Sequence, residues 1–385
     1  MLAGMGADVI LVEPPGGHLA RHTPPFAEEC DDPGEASLWW WHHQAGKRGL
    51  VLDLGDPADH EVLVRLIGRA DVVLEAEPPG RLDTRGLSRA ELSATHPRLI
   101  WASVTPWGAA SDRSRHPVTD LTIAAEGGPA WSCGYDDHSL PPVRPGGDQS
   151  YQTASMFGLL GILTGLVQRQ SSDRGQHVDI AAVAAAHVTT EAATYEWMVA
   201  GRTVQRQTGR HASVHPTTPT AATSKDGRLI ATGVPARSVA EYEQLLDWLD
   251  HLGLSDEFDE LGLLVAGVDR GGVTIWELGS DEVALAIFGA GREAMTFIAS
   301  KMTADDFFVE AQRRGFPSGV VKRPDELLAD RQLQARGFLV PVWSALLGRE
   351  VVYPGAPFRS DRTTWSVSAA PRLDEHRAQI LGSLP

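Results

Sequence analysis

Two hydrophobic periods alternate along this chain. In its first third, short apolar or alternating runs are followed by stretches with an apolar residue every three or four positions, the signatures of strand and helix. The opening segment, 1–13, reads as the tail of a helix, a glycine turn and a buried strand that begins around Ala7, closed by the turn Pro14-Pro15-Gly16-Gly17. A strand over 49–54, a helix over 58–67, a strand over 70–75, a helix over 87–94 and a strand over 99–104 follow. This alternation predicts an α/β fold class with an open, mostly parallel sheet and helices on both sides. A parallel strand so close to Met1 needs a cover on both faces. Either an element of this chain or of a partner lies over it, or a first strand and helix precede Met1.

Helical period dominates 152–168 and 180–199, whereas 201–222 is polar, rich in Thr, Pro and Arg, and reads as a connection. A second compact unit is expected to start at the hairpin-like turn Lys225-Asp226-Gly227. It holds helices over 238–252, 281–302, 304–313 and 324–329 and a strand over 318–321, and the stretch 353–358 is extended and punctuated by proline. The expected division is a large domain over 1–200, a linker over 201–224, a smaller α/β domain over 225–325 and a segment 326–385 that returns to the large domain.

Composition narrows the chemistry. Lys and Arg number 34 against 50 Asp and Glu, a formal charge of −16 that disfavours nucleic acid and anionic membrane as partners. The two cysteines form no disulfide framework, and no apolar run reaches the roughly 20 residues of a membrane span. A cytoplasmic enzyme is the expectation. No Gly-x-Gly-x-x-Gly follows a strand, so no dinucleotide fingerprint is present. His42 and His43 lack a third ligand at metal spacing, so no metal is implied.

One carboxylate stands out. Gly146-Gly147-Asp148 sets an aspartate in a glycine turn at a helix entrance, where it is either an N-cap or a nucleophile. Trp39-Trp40-Trp41 with His42-His43 either lines an acyl pocket or builds a core or interface cluster. His177 and Asp179 fit a role in organising the fold better than one in a triad.

Several blocks in order resemble the family III CoA transferases: the opening Leu2-Ala3-Gly4-Met5-Gly6-Ala7-Asp8, Gly46-Lys47-Arg48 before Leu52-Asp53-Leu54, Gly147-Asp148, Asp173-Arg174-Gly175-Gln176-His177, and Arg314-Gly315-Phe316-Pro317. The resemblance runs from Met1 to the C-terminus. It implies a Rossmann-like open-sheet large domain, a smaller second domain and two chains threaded as an interlocked dimer, with Met1 inside the usual start so that another polypeptide or a differently built N-terminus fills the gap. It also implies acyl-CoA:carboxylate CoA transfer, with Asp148 as the nucleophile, a CoA thioester and a carboxylic acid as substrates and no permanently bound cofactor. Arg21, Lys47, Arg48, Arg81 and Arg85 are the cations implied near the nucleotide.

The chain departs from that pattern in three places. Glu75-Ala76-Glu77-Pro78-Pro79-Gly80 replaces Glu-Asn-Phe-Arg-Pro-Gly, Thr84 stands where Arg is common, and Gln152 replaces a glycine four residues after the nucleophile. These changes support an alternative, a noncatalytic or partner-dependent subunit in a heterodimer with a homologous chain. The related acyl-CoA racemases carry a catalytic His where this chain has Thr119, and a Thr cannot shuttle protons at neutral pH.

Overall fold

The computed structural model describes residues 1–215 and 217–384 and divides into two compact units. The first comprises 1–127, 146–189 and 324–385; the second comprises 128–145 and 190–323.

In chain order the first unit begins with β1 (Ile10–Glu13), α1 (Leu38–Gln44), β2 (Arg48–Val51), α2 (Pro57–Arg69), β3 (Val72–Glu75), α3 (Arg89–Thr95) and β4 (Ile100–Thr105). It continues with α4 (Asp120–Glu126), α5 (Gln149–Ser172), β5 (His177–Ala181) and α6 (Ala182–Val188). All pairings among these strands are parallel, as the alternation predicts, but they form two small sheets, β1–β2 and β3–β4–β5. Side chains alternate across a strand, so Ile100, Ala102 and Val104 of β4 share a face with Val178 and Ile180 of β5. This face packs against Phe157, Ile162 and Leu166 of α5. A glycine stripe brings the helix close: a Cβ on Gly158 would sit 3.2 Å from Val104, one on Gly161 2.6 Å from Val178, and one on Gly165 3.3 Å from Ile100.

The second unit contains α7 (Glu191–Ala200), β6 (Gln205–Gln207), β7 (Arg210–Ser213), β8 (Ala221–Thr223), β9 (Leu229–Ala231), α8 (Val239–His251), α9 (Leu261–Asp269), α10 (Glu282–Lys301), α11 (Ala304–Arg313) and β10 (Gly319–Val320). The turn at Lys225 does join a hairpin, β8–β9, extended by antiparallel β10. The stretch read as a bare connection instead carries the hairpin β6–β7, too short and too polar to show a period. Helix α10 is long and apolar enough to cross a membrane by length and composition. Its buried residues, including Ile287, Ala294, Met295 and Ile298, lie in the unit's main hydrophobic cluster with Leu245, Trp248 and Phe307, the setting of a core helix.

The chain then returns to the first unit with α12 (Arg331–Ala335), β11 (Leu339–Ser344), β12 (Arg349–Pro354) and α13 (Arg377–Gly382). The extended stretch expected from Tyr353 begins in β12, the second strand of the β11–β12 hairpin. Beyond it, Asp374 Oδ1 accepts from Val51 N at 2.8 Å and Ile380 packs with Leu50 and Leu52, tying the C-terminal segment to β2.

Candidate active site

The helix α5 begins at Asp148, and the way it begins bears on what that residue can do. A capping aspartate adopts extended backbone and folds its carboxylate over the first turn. Asp148 instead has φ 51 and ψ 47, the left-handed region, directly after Gly147 at φ 75, and its side chain makes no cap hydrogen bond. The cap comes from elsewhere. Oδ1 of Asp120, a buried residue at the start of α4, accepts from Ser150 N at 2.9 Å and from Tyr151 N at 3.4 Å. Ser150 Oγ adds a bond to Asp120 O at 3.3 Å. One carboxylate therefore satisfies the helix entrance, while the other stands half-buried at the turn above it.

Asp148 is within electrostatic reach of two rings, one of them beside a cation. Its charge acts on His43 and on Tyr151, three residues along α5. Burial, then the neighbouring His42 and Lys47, holds His43 down at about 4 against the opposing pull of Asp148. Burial likewise lowers Lys47, whose Nζ donates to Gln44 Oε1. Burial and the carboxylates of Asp120 and Asp148 raise Tyr151, keeping its phenol a hydrogen-bond donor. The ring of His43 lies 4.1 Å from that of Trp39 and 4.7 Å from that of His42. The tryptophan run divides: Trp40 is core, its Nε1 donating to Pro371 O, Trp41 Nε1 donates to Glu35 O, and Trp39 belongs to the ring cluster. Among the described residues no group of His, Cys, Asp or Glu is arranged to hold a metal ion.

A model of the family described as CoA-transferase family III matches residues 1–377. The chain belongs to this family. Family III relatives include the succinyl-CoA:(R)-benzylsuccinate CoA-transferase subunit BbsE of Thauera aromatica, 32% identical over 99% of this chain and 88% of that protein. The succinyl-CoA:mesaconate CoA-transferase of Haloarcula hispanica is 27% identical over 99% of this chain and 90% of that protein. Among solved structures, a CaiB/BaiF family protein from Brucella suis superposes with a TM-score of 0.78 at 25% identity, covering 100% of this chain and 93% of that one. The chain is thus a transferase with a mixed α/β fold of the CaiB/BaiF kind.

The basic residues expected near a family III nucleotide have separate settings. Arg21 is 1% exposed, and its guanidinium is enclosed by acceptors: Glu13 takes Nε and Nη2, Glu35 takes Nη1 at 3.0 Å, and Pro371 O takes Nη2 at 3.1 Å. Stacked 4.0 Å over Trp40, it holds the β1 turn to the C-terminal segment and has little left to offer a phosphate. Arg48 forms a two-pronged pair with Asp8, and Arg81 pairs with Glu77 at 3.2 Å. Arg85 lies exposed in a short 3-10 turn after β3. Of the five, Lys47 is the one that shares the His43 environment with Asp148.

Sequence reasoning passed over Asp120 and Tyr151. Tyr151 was visible at the nucleophile-plus-three position, but Asp120 stands 30 residues from its partner Ser150 and no periodic signal links them. Thr119, at the racemase histidine position, caps α4 through its Oγ1 and Thr122 N.

Proposed function

We propose that this chain is an acyl-CoA:carboxylate CoA transferase that works through an aspartyl-CoA thioester at Asp148. The observation that carries the proposal is the division of labour at α5: Asp120 accepts from the first-turn Ser150 N, whereas Asp148, in left-handed backbone at the helix entrance, makes no cap hydrogen bond. A carboxylate with a reference pKa of about 3.9 is ionised at neutral pH and needs no general base to attack.

The Asp148 carboxylate attacks the thioester carbonyl of the donor and expels CoA thiolate, giving a mixed anhydride. The thiolate returns to the Asp148 carbonyl and releases the donor acid, leaving the thioester on the enzyme. The acceptor carboxylate attacks that thioester and expels CoA thiolate, forming a second anhydride, and attack of this thiolate on the acceptor's acyl carbonyl yields the new acyl-CoA and restores the Asp148 carboxylate. Each step develops an oxyanion. The protonated Tyr151 phenol, three residues along α5, is a donor near in sequence.

Relatives named for succinyl-CoA support succinyl-CoA as donor and a dicarboxylic acid as acceptor, with half-buried Lys47 as the cation for a second carboxylate. Lys47 carries the basic part of the CoA reading forward, with Arg48, Arg81 and Arg85 able to re-pair toward phosphate from the surface. The expected setting is cytoplasmic. The test is exchange between succinyl-CoA and a panel of dicarboxylic acids: Asp148→Asn should lower the rate by about 10³-fold or more, as removal of a covalent nucleophile does. Retained exchange in that variant refutes the assignment.

A second reading has its own support: the relative from Thauera aromatica is named as a subunit. In that reading the active form pairs this chain with a homologous one. Exchange by the purified chain alone decides against it, and exchange only on adding the second chain decides for it.

A further inference from the structure

Two of the three tryptophans at the start of α1 anchor that helix. Trp40 is buried with its Nε1–H on Pro371 O at 3.2 Å, and Trp41 Nε1 donates to Glu35 O at 2.8 Å. Ser37 Oγ caps the same turn by accepting from Trp40 N at 3.1 Å. These bonds fix the rotation of α1 about its axis, and residues four apart on a helix share a face. Trp39 and His43 therefore stand together, half-buried, with ring centroids 4.1 Å apart and planes tilted by 45°.

This ring pair is one contact removed from the carboxylate at Asp148. The Asp148 charge reaches His43, and the His43 ring touches Trp39. Burial, then the neighbouring His42 and Lys47, holds His43 at about 4, so at neutral pH it offers an uncharged aromatic surface and leaves the role of cation to Lys47. A ring bound here belongs to the acyl side of the reaction. In an acyl-CoA the adenine lies at the far end of the pantetheine arm from the thioester carbon that a nucleophile attacks. Two tilted rings present faces and edges that a third ring matches by offset or edge-to-face contact, whereas a saturated group gains only from its buried area.

We propose, on the reading of Asp148 as the nucleophile, that Trp39 and His43 are specificity-determining residues that favour an acceptor acid carrying an aryl group. The acceptor narrows from dicarboxylic acids in general to aryl-substituted ones, with the arene against Trp39.

The test compares two acceptors of like size and charge, 2-phenylsuccinate and 2-cyclohexylsuccinate, in exchange with succinyl-CoA catalysed by the full chain. The wild-type kcat/KM should favour the phenyl acid by about three- to tenfold, the range of an aromatic pair beyond its buried area. Trp39→Leu should bring the ratio toward one and Trp39→Phe should keep most of it; a merely structural role would lower both acids alike and leave the ratio in place. His43→Leu should also lower the ratio, and it stands in should Trp39→Leu fail to fold. Equal rates for the two acids, faster exchange of the cyclohexyl acid, exchange of neither, or a phenyl preference that survives Trp39→Leu overturns the assignment. Asp148→Asn separates this result from the nucleophile reading. Exchange that persists in that variant with the phenyl preference intact overturns the nucleophile and not the ring pair, whereas equal rates in a chain whose exchange Asp148→Asn abolishes overturn the ring pair and not the nucleophile.

Discussion

At the scale of single residues, the site turns on where two carboxylates point. Asp148 was legible in the sequence as an acid in a glycine turn, but the same three residues describe an ordinary cap. The left-handed backbone and the bond from Ser150 N to Asp120 show that the Asp148 side chain is not the cap; the nucleophile is a proposal. Arg21, which the family resemblance implies near the nucleotide, is enclosed between Glu13 and Glu35. No local pattern announces partners eight and fourteen residues away. His43 carries a pH prediction. Its folded value of about 4 lies below the unfolded value near 6.5, so the unfolded chain binds the extra proton between the two. The contribution is present in full above pH ~6.5 and is lost as pH falls toward ~4. Thermal melts across that window should fall steeply for the wild-type chain, and His43→Gln should flatten the decline; equal slopes would remove His43 from the account.

At the scale of elements, the strongly periodic pieces were legible to within a few residues. The strands over 70–75 and 99–104 and the helix over 304–313 correspond to β3, β4 and α11. What escaped was set by tertiary pairing: the polar hairpin β6–β7, the β11–β12 hairpin, and the break of the alanine-rich stretch 180–199 into the end of β5, α6 and α7. Helix α5 joins the two kinds of information. Its glycines, visible in sequence, set its distance from the sheet, whereas Asp120, invisible as a cap, holds its first turn. Asp120→Ala leaves two N–H groups without their acceptor and should destabilise the chain by about 1–3 kcal/mol. Asp120→Asn keeps the Oδ1 acceptor and should cost less than half as much. Urea unfolding of the two variants measures the difference, and equal losses would show that the charge, not the cap bond, is what α5 uses.

At the scale of the whole molecule, the composition excluded more than it identified. The charge of −16 argued against nucleic acid, but the reaction class came from the ordered blocks and the match over 1–377. Assembly is a proposal with a surface behind it. Met156, Leu160, Leu163 and Val167 leave one side of α5 exposed and apolar, and Trp197, Met198 and Val199 are exposed at the end of α7. A second copy, or a homologous subunit, is the occupant the interlocked-dimer expectation supplies. Light scattering should give twice the 41.4 kDa of one chain, and Leu160→Glu with Val167→Glu should reduce the dimer fraction. A wild-type monomer that exchanges CoA at full rate would contradict the dimer.

The central claim is covalent chemistry at Asp148, and peptide mass spectrometry tests it most directly. The chain is incubated with succinyl-CoA and treated with hydroxylamine or borohydride, then digested. The account predicts a hydroxamate or reduced side chain on the peptide that contains Asp148, absent from Asp148→Asn. Modification at another carboxylate, or a clean Asp148 peptide from a chain that is turning over, would contradict it.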